Sequence, residues 1–210
     1  QKIKPRYTSI IPGEKVYVVG NPYSNLSSQI LESKIVGKLG WDILIEQPQD
    51  DLSGFSGSPI LDRNGFLIGV FSSASTDPKT GKAVIVGIST EYLKNVLDGK
   101  KNNNLPKKDY GKEIFEILLK ENVEEAIAHY RKLVSDPDNY YEYNLRSANR
   151  NGLLETGEKL LKMNRIQDAI EILEFNVNEN SAYFHNYNTL ARAYLQAGQK
   201  EKAVEYFKAS

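Results

Sequence analysis

The 210-residue sequence contains no cysteine, one methionine, one tryptophan and two histidines. Without cysteine, disulfides, thiolate metal sites and thiol nucleophiles are excluded together, and the redox compartment is left open. An imidazole base has only His129 and His185 to draw on. An excess of one charge is missing as well. Residues 1–105 carry 12 Lys and Arg against 10 Asp and Glu, and residues 106–210 carry 15 against 17, so nothing argues for a nucleic-acid or anionic-membrane partner. No apolar run approaches the ~20 residues of a membrane span, and none is expected.

What is present divides near residue 100. Before it, short β-branched and aromatic runs lie between Gly, Pro and Asn turns, with no helical period ahead of Thr90. Val16–Val19 sits between Pro12-Gly13 and Gly20-Asn21-Pro22. A second strand region contains Ile30, Ile35 and Val36. Gly40-Trp41-Asp42 is a turn before Ile43-Leu44-Ile45. The stretches Ser58–Leu61 and Phe66–Phe71 pair around Asp62-Arg63-Asn64-Gly65, a polar loop covers Ser72–Lys82, and Ala83–Val86 returns as a strand. This spacing predicts an antiparallel barrel or sandwich, closed by a helix over Glu91–Leu97 with Thr90 as its N-cap.

The loop Gly54-Phe55-Ser56-Gly57-Ser58-Pro59 carries the chemistry of this half. Glycine ahead of a serine leaves backbone N–H groups free to approach a carbonyl, as an oxyanion hole requires. A Gly-Ser turn joining two strands is the commoner meaning of such a stretch taken alone. Its surroundings speak for the sharper one. The loop resembles the active-serine loop Gly-x-Ser-Gly-Gly-Pro of trypsin-like (chymotrypsin-fold) serine peptidases, especially their bacterial high-temperature-requirement relatives. Pro12 to Pro22 resembles the Gly-Asn-Pro strand that opens the second β-barrel of that family. Ser28–Lys38, Ile43–Gln47 and Val84–Leu97 resemble the strands and closing helix that follow, over roughly residues 8 to 98. One departure is Ser58, which replaces the second glycine and is expected to crowd the backbone.

The resemblance implies a serine endopeptidase that needs no metal or cofactor, with Ser56 as nucleophile and the N–H groups of Gly54 and Ser56 as oxyanion donors. It implies a peptide or protein substrate and favours an extracytoplasmic location. In the family the catalytic His and Asp lie in a first barrel, ahead of the stretch matched here. A serine hydroxyl is a poor nucleophile until a base takes its proton, and His129 and His185 both fall in the helical half, where they read as helix residues. Asp50, six residues before Ser56, stands where enzymes of the family that cut after Lys or Arg carry the acid of the specificity pocket, although a solvated turn is the commoner meaning of Asp50-Asp51 ahead of a surface loop. Ser72 and Ser73 follow the strand expected to wall that pocket and are candidates to pair with a substrate backbone.

Beyond Gly99–Lys108, which is polar and turn-rich, the pattern becomes helical and repeats. An offset of 34 residues relates Leu153 to Tyr187, Gly157 to Ala191, Leu160 to Tyr194, Ala169 to Ala203 and Leu173 to Phe207. This is the tetratricopeptide period. Gly157 and Ala191, facing Ala169 and Ala203, are expected to allow close helix crossings. An earlier copy fits Tyr110, Ile114, Ile117, Ala126 and Tyr130, with nine extra residues around Asp136–Tyr141 before the next. Tyr140, Tyr141 and Tyr143 are expected to pack within that insertion.

The expected organisation is therefore multidomain β plus α: a trypsin-like C-terminal barrel over 1–98, a linker over 99–106 and tetratricopeptide helices over 107–210. The helices are expected to hold a protein partner. Two functions follow, a peptidase portion whose His and Asp are not in this chain, or a non-catalytic, peptidase-derived platform. The lead-in Gln1–Ile11 reads as the middle of a longer protein, and a half barrel is expected to need cover for an apolar face.

Overall fold

Inward-facing β-branched residues organise the first unit. The computed structural model describes residues 2–21, 27–77, 79–99, 108–143, 145 and 152–210. Pro22, Pro78, the Tyr141 side chain and all of the expected linker but Gly99 lie outside the described residues. The strands are β1 (Lys15–Gly20), β2 (Gln29–Leu39), β3 (Asp42–Glu46), β4 (Pro59–Asp62), β5 (Leu67–Thr76) and β6 (Ala83–Ser89). They close in the order β1-β2-β3-β6-β5-β4, every neighbouring pair antiparallel, with β1 bonded to both β2 and β4. Because side chains alternate along a strand, Val16 and Val18 of β1 point inward. They meet Leu31, Ile35, Ile43, Ile45, Ile60, Ile68, Phe71 and Ile85 in one core.

The sheet closes on itself. The barrel fills its own interior and leaves no unpaired strand between β1 and β4. Ile30 and Val36 point outward and are exposed. The region 72–82 is corrected. β5 runs on to Thr76, past a bulge between Phe71 and Ser73, and pairs there with Ala83–Val86. Polar residues form a strand here because β6 supplies a ladder partner, whatever their propensity.

Helix α1 (Thr90–Leu97) follows β6, but Ser89 is its N-cap, accepting from the Tyr92 N–H at 3.3 Å. The Thr90 hydroxyl points elsewhere. It donates to the Arg6 carbonyl at 2.5 Å and lies 3.2 Å from the Ile68 carbonyl. The lead-in is thereby held to the barrel: Arg6 N–H donates to Leu67 O at 2.8 Å and Leu67 N–H to Lys4 O at 2.9 Å.

The second unit comprises residues 77–81 and 106–210. Its helices are α2 (Tyr110–Lys120), α3 (Val123–Ser135), the short α4 (Asn139–Glu142), α5 (Gly152–Lys162), α6 (Ile166–Glu179), α7 (Phe184–Gln196) and α8 (Lys200–Lys208). They pack as successive pairs, α2 with α3, α5 with α6 and α7 with α8, while α2 also meets α5, α3 meets α6, and α6 meets α7. The 34-residue relation extends to the backbone. Arg165 N–H donates to Leu160 O and Gln199 N–H to Tyr194 O, both at 2.9 Å; Asn164 and Gly198 hold positive φ at the same place in the two turns.

Ala169, Ala191 and Ala203 are buried as expected of close crossings. Gly157 is also at a crossing, but what fills its missing side chain is Leu173, 2.5 Å from where a Cβ would stand. Phe207 departs from its copy: it is 40% exposed, whereas Leu173 is fully buried. A further close approach escaped the sequence pattern, since a Cβ on Gly111 would lie 2.6 Å from the Gly152 Cα. Tyr140 and Tyr143 are buried.

Ala169 has no exposed surface, so Ala169→Leu should overpack α5 against α6. The expected cost is about 2 kcal/mol. Helical circular dichroism should report it, while the fluorescence of Trp41, which lies in the barrel unit, stays unchanged. Parent-like unfolding of the helices in that variant would mean that this crossing has room to spare.

Candidate functional site

The serine loop runs from Gln47 to Ser58, between β3 and β4, and is anchored by two apolar side chains. Leu52 and Phe55 belong to the barrel core, and Phe55 has no exposed surface. Burying Phe55 leaves its neighbour Ser56 exposed. Two turns shape the loop around them. Phe55 N–H donates to Leu52 O at 3.1 Å and Ser58 N–H to Phe55 O at 2.9 Å. Gly54 and Gly57 hold φ of 85° and 84°, a region that costs a side-chain-bearing residue dearly, so both glycines follow from the turn geometry.

The loop is then tied to β5. Gly57 N–H donates to Phe71 O at 2.9 Å, and Phe71 N–H to Ser58 O at 2.8 Å. These bonds continue the β4–β5 ladder, whose last strand pair is Pro59 with Val70. Past Phe71 the pairing of β5 is with β6 alone among the described residues, and Ser72 is half-buried and Ser73 exposed there. Among the described residues, the N–H groups of Gly54 and Ser56 make no hydrogen bond. The loop therefore brings an open hydroxyl, two unused backbone donors and a strand stretch paired on one side into continuous covalent and hydrogen-bonded connection.

Asp50 is exposed in the same loop, and its backbone oxygen accepts from Gln47 Nε2 at 3.3 Å. Asp51 turns inward on the chain: its Oδ1 accepts the Ser53 N–H at 2.9 Å, which with the Ser53 hydroxyl holds the carboxyl below its ordinary range. Neither histidine belongs to the barrel unit. His129 of α3 places Nε2 3.2 Å from Glu113 Oε1 of α2. His185, in the first turn of α7, lies against Phe184 with ring centroids 3.8 Å apart.

Ser58, the departure from the family's second glycine, closes the corner at the end of β1. It is buried, and its Oγ occupies the space beside Gly20 at the end of β1, 2.6 Å from where a Gly20 Cβ would stand. Gly20 and Phe55, both within the stretches that carry the resemblance, support the loop through contacts the motifs do not display. The apolar residue between Gly54 and Ser56 was a signal for the second, because an isolated phenylalanine in a Gly- and Ser-rich turn needs a place to bury.

Neither a protein-family model nor a curated protein matches the chain. Among solved structures, similarity extends to a serine endoprotease from Yersinia pestis, at 19% identity and a TM-score of 0.38, and to an HtrA-type protease solved with a tripeptide, at 20% identity and 0.36. Each match covers 46% of this chain and 34% of the other, so the matched part spans about a third of those proteases.

Proposed function

We propose that residues 1–98 are the nucleophile-bearing barrel of a trypsin-like serine endopeptidase, joined through 99–106 to tetratricopeptide helices over 107–210 that hold a protein partner. The observation that carries this reading is the exposed Ser56 beside two unused N–H donors in a loop bonded to β5. The Ser56 Oγ attacks the scissile carbonyl carbon, and the Gly54 and Ser56 N–H groups receive the negative charge that develops on its oxygen. Collapse of the tetrahedral intermediate expels the amine and leaves an acyl-serine, which water hydrolyses by the reverse sequence. An extended substrate adds as a strand along Ser72 and Ser73. Asp50 offers a carboxylate to a Lys or Arg side chain of that substrate.

The proton of Ser56 has no imidazole to go to within the barrel unit, so this chemistry takes its base and the acid that orients it from a segment outside the sequence. A second reading rests on the place of both histidines in the helical unit: the barrel is a platform without peptidase activity. A fluorophosphonate serine probe separates the two. The 210-residue chain alone should label at Ser56 roughly ten-thousand-fold more slowly than a complete triad enzyme. Extending the chain through its preceding reading frame should restore fast labelling, which Ser56→Ala removes. If that frame supplies no His and Asp, or the extended chain stays unlabelled, the platform reading stands and the peptidase reading falls.

A further inference from the structure

Beyond Phe71 the strand β5 lies at an edge. Ser73–Thr76 pair with Ala83–Val86 of β6, while β6 pairs on its other side with β3. The edge stretch Ser72–Thr76 holds only serine, alanine and threonine, and Ser73, Ala74 and Thr76 are exposed. It buries little apolar surface, so its ends matter to how firmly it is held. One end is Phe71, bonded to Gly57 and Ser58 of the serine loop. The other is the turn Asp77–Gly81, which belongs to the second unit. Asp77 fixes that turn from within: its Oδ1 accepts the Lys79 N–H, its Oδ2 the Thr80 hydroxyl and its carbonyl the Gly81 N–H, each at 2.9 Å. In the second unit the Ser181 Oγ donates to the Lys79 carbonyl at 2.8 Å, and the Ala182 Cβ lies 3.5 Å from where a Cβ on Gly81 would stand. Ser181 and Ala182 form the turn between α6 and α7. Buried amides hold it, since Asn180 Nδ2 donates to Asn176 Oδ1 and Asn186 Nδ2 to Asn180 O, both at 2.9 Å, with all three residues buried.

We infer that Ser181 is a positioning residue for the edge stretch Ser72–Thr76. Its hydroxyl fixes the far end of that stretch, as Phe71 fixes the near end, and the backbone between them is tethered twice. The stretch is the one along which an extended substrate adds as a strand, so the assignment rests on the peptidase reading and adds to it a means of regulation: whatever shifts the α6–α7 turn changes how Ser72 and Ser73 meet a peptide. The opposite end of β5 has its own tether. There Leu67 N–H donates to Lys4 O at 2.9 Å, which leaves it independent of Ser181.

Amide hydrogen exchange on the whole 210-residue chain tests this residue by residue. It needs no peptidase activity, so its outcome is independent of whether a serine probe labels Ser56. In Ser181→Ala the Phe71 amide and those amides of Ser73–Thr76 that are protected in the parent should exchange about fivefold faster, the factor that loss of one ordinary hydrogen bond carries. The Leu67 amide, and the Arg165 amide of the helical unit, should keep their parent rates. Ala182→Arg, which presses on Gly81, should act in the same direction, and Ser181→Thr, which keeps the hydroxyl, should restore the parent profile. Should Ala182→Arg unfold the helices, Ser181→Ala still decides. Faster exchange confined to Lys79 and Gly81 overturns the assignment, because the contact then ends at the turn. A rise shared equally by Leu67 overturns it as well, since Ser181 would then stabilise the barrel as a whole, and so does a parent-like profile in Ser181→Ala.

Discussion

Arg6→Ala is expected to lower the stability of the barrel unit by about 3 kcal/mol at pH 7, read from the unfolding of Trp41 fluorescence. Arg6 Nη1 donates to Glu14 Oε1 at 2.5 Å and to Asp62 Oδ2 at 2.8 Å, while Nη2 donates to Glu14 Oε2 at 2.9 Å. The Asp62 side chain is 1% exposed, so deleting the guanidinium leaves a buried carboxylate with only the N–H groups of Asn64 and Phe66. Burial by itself raises the Asp62 carboxyl, but those two N–H groups and Arg6 together hold it below its ordinary value. For Glu14 the Arg6 hydrogen bonds dominate and also lower it. Two carboxyls lowered in the fold stabilise it fully above the ordinary carboxylate range near pH 4, and that stability is lost as acid titrates through the lowered values. The gap between parent and Arg6→Ala should therefore shrink on going from pH 7 to pH 3. As a contrast, Lys15→Ala removes an ion pair with Glu32 that is more than half exposed on both sides, and should leave the transition close to that of the parent. Equal losses in the two variants would show that the Arg6 cluster is worth no more than a surface pair.

How much of this was legible in the sequence depended on whether the deciding partner was near in the chain. β1 announces itself through Val16 and Val18, where burial of one face imposes a period of two, and β3 and β6 through the continuous apolar runs Ile43–Ile45 and Val84–Val86, which are buried on both faces. Arg6, Glu14 and Asp62 did not. Nothing in a basic lead-in says that a carboxylate 56 residues away stands within reach, and a polar terminus looks the same whether it is tied down or not. The strand character of Ser72 to Thr76 was hidden for a related reason, being conferred by β6 and not by its own side chains. In the helical unit the 34-residue offset located Ala169, Ala191 and Ala203, whereas Gly111 against Gly152 belongs to the copy that lies out of period. At the serine loop the motif displayed Gly54, Ser56 and Gly57. A lone phenylalanine among Gly and Ser signalled that Phe55 needs a place to bury, but the motif could not display that Leu52 joins it in the barrel core.

Gly20→Ala, far from Ser56 in sequence, is expected to cost the barrel about 3 kcal/mol and to disturb the serine loop at the same time. A Cβ at position 20 would lie 2.4 Å from Phe55 Cδ1 and 2.6 Å from Ser58 Oγ. Alanine gains over glycine in conformational entropy by at most about 1 kcal/mol, so the sign is decided by whether Phe55 can move. It has no exposed surface and sits among Val18, Ile60 and the other core residues, which are packed too closely to yield a rotamer freely. The remaining route is outward displacement of the loop, which carries Ser56 and breaks the Gly57 and Ser58 bonds to Phe71. Loss of amide-exchange protection at Gly57 and Phe71, alongside the lowered Trp41 transition, would identify that route. Adding Ser58→Gly should recover only part of the loss, because it removes the Oγ contact and leaves the nearer one with Phe55. Full recovery in the double variant would assign the tightness of this corner to Ser58 alone and remove Phe55 as the anchor of the loop.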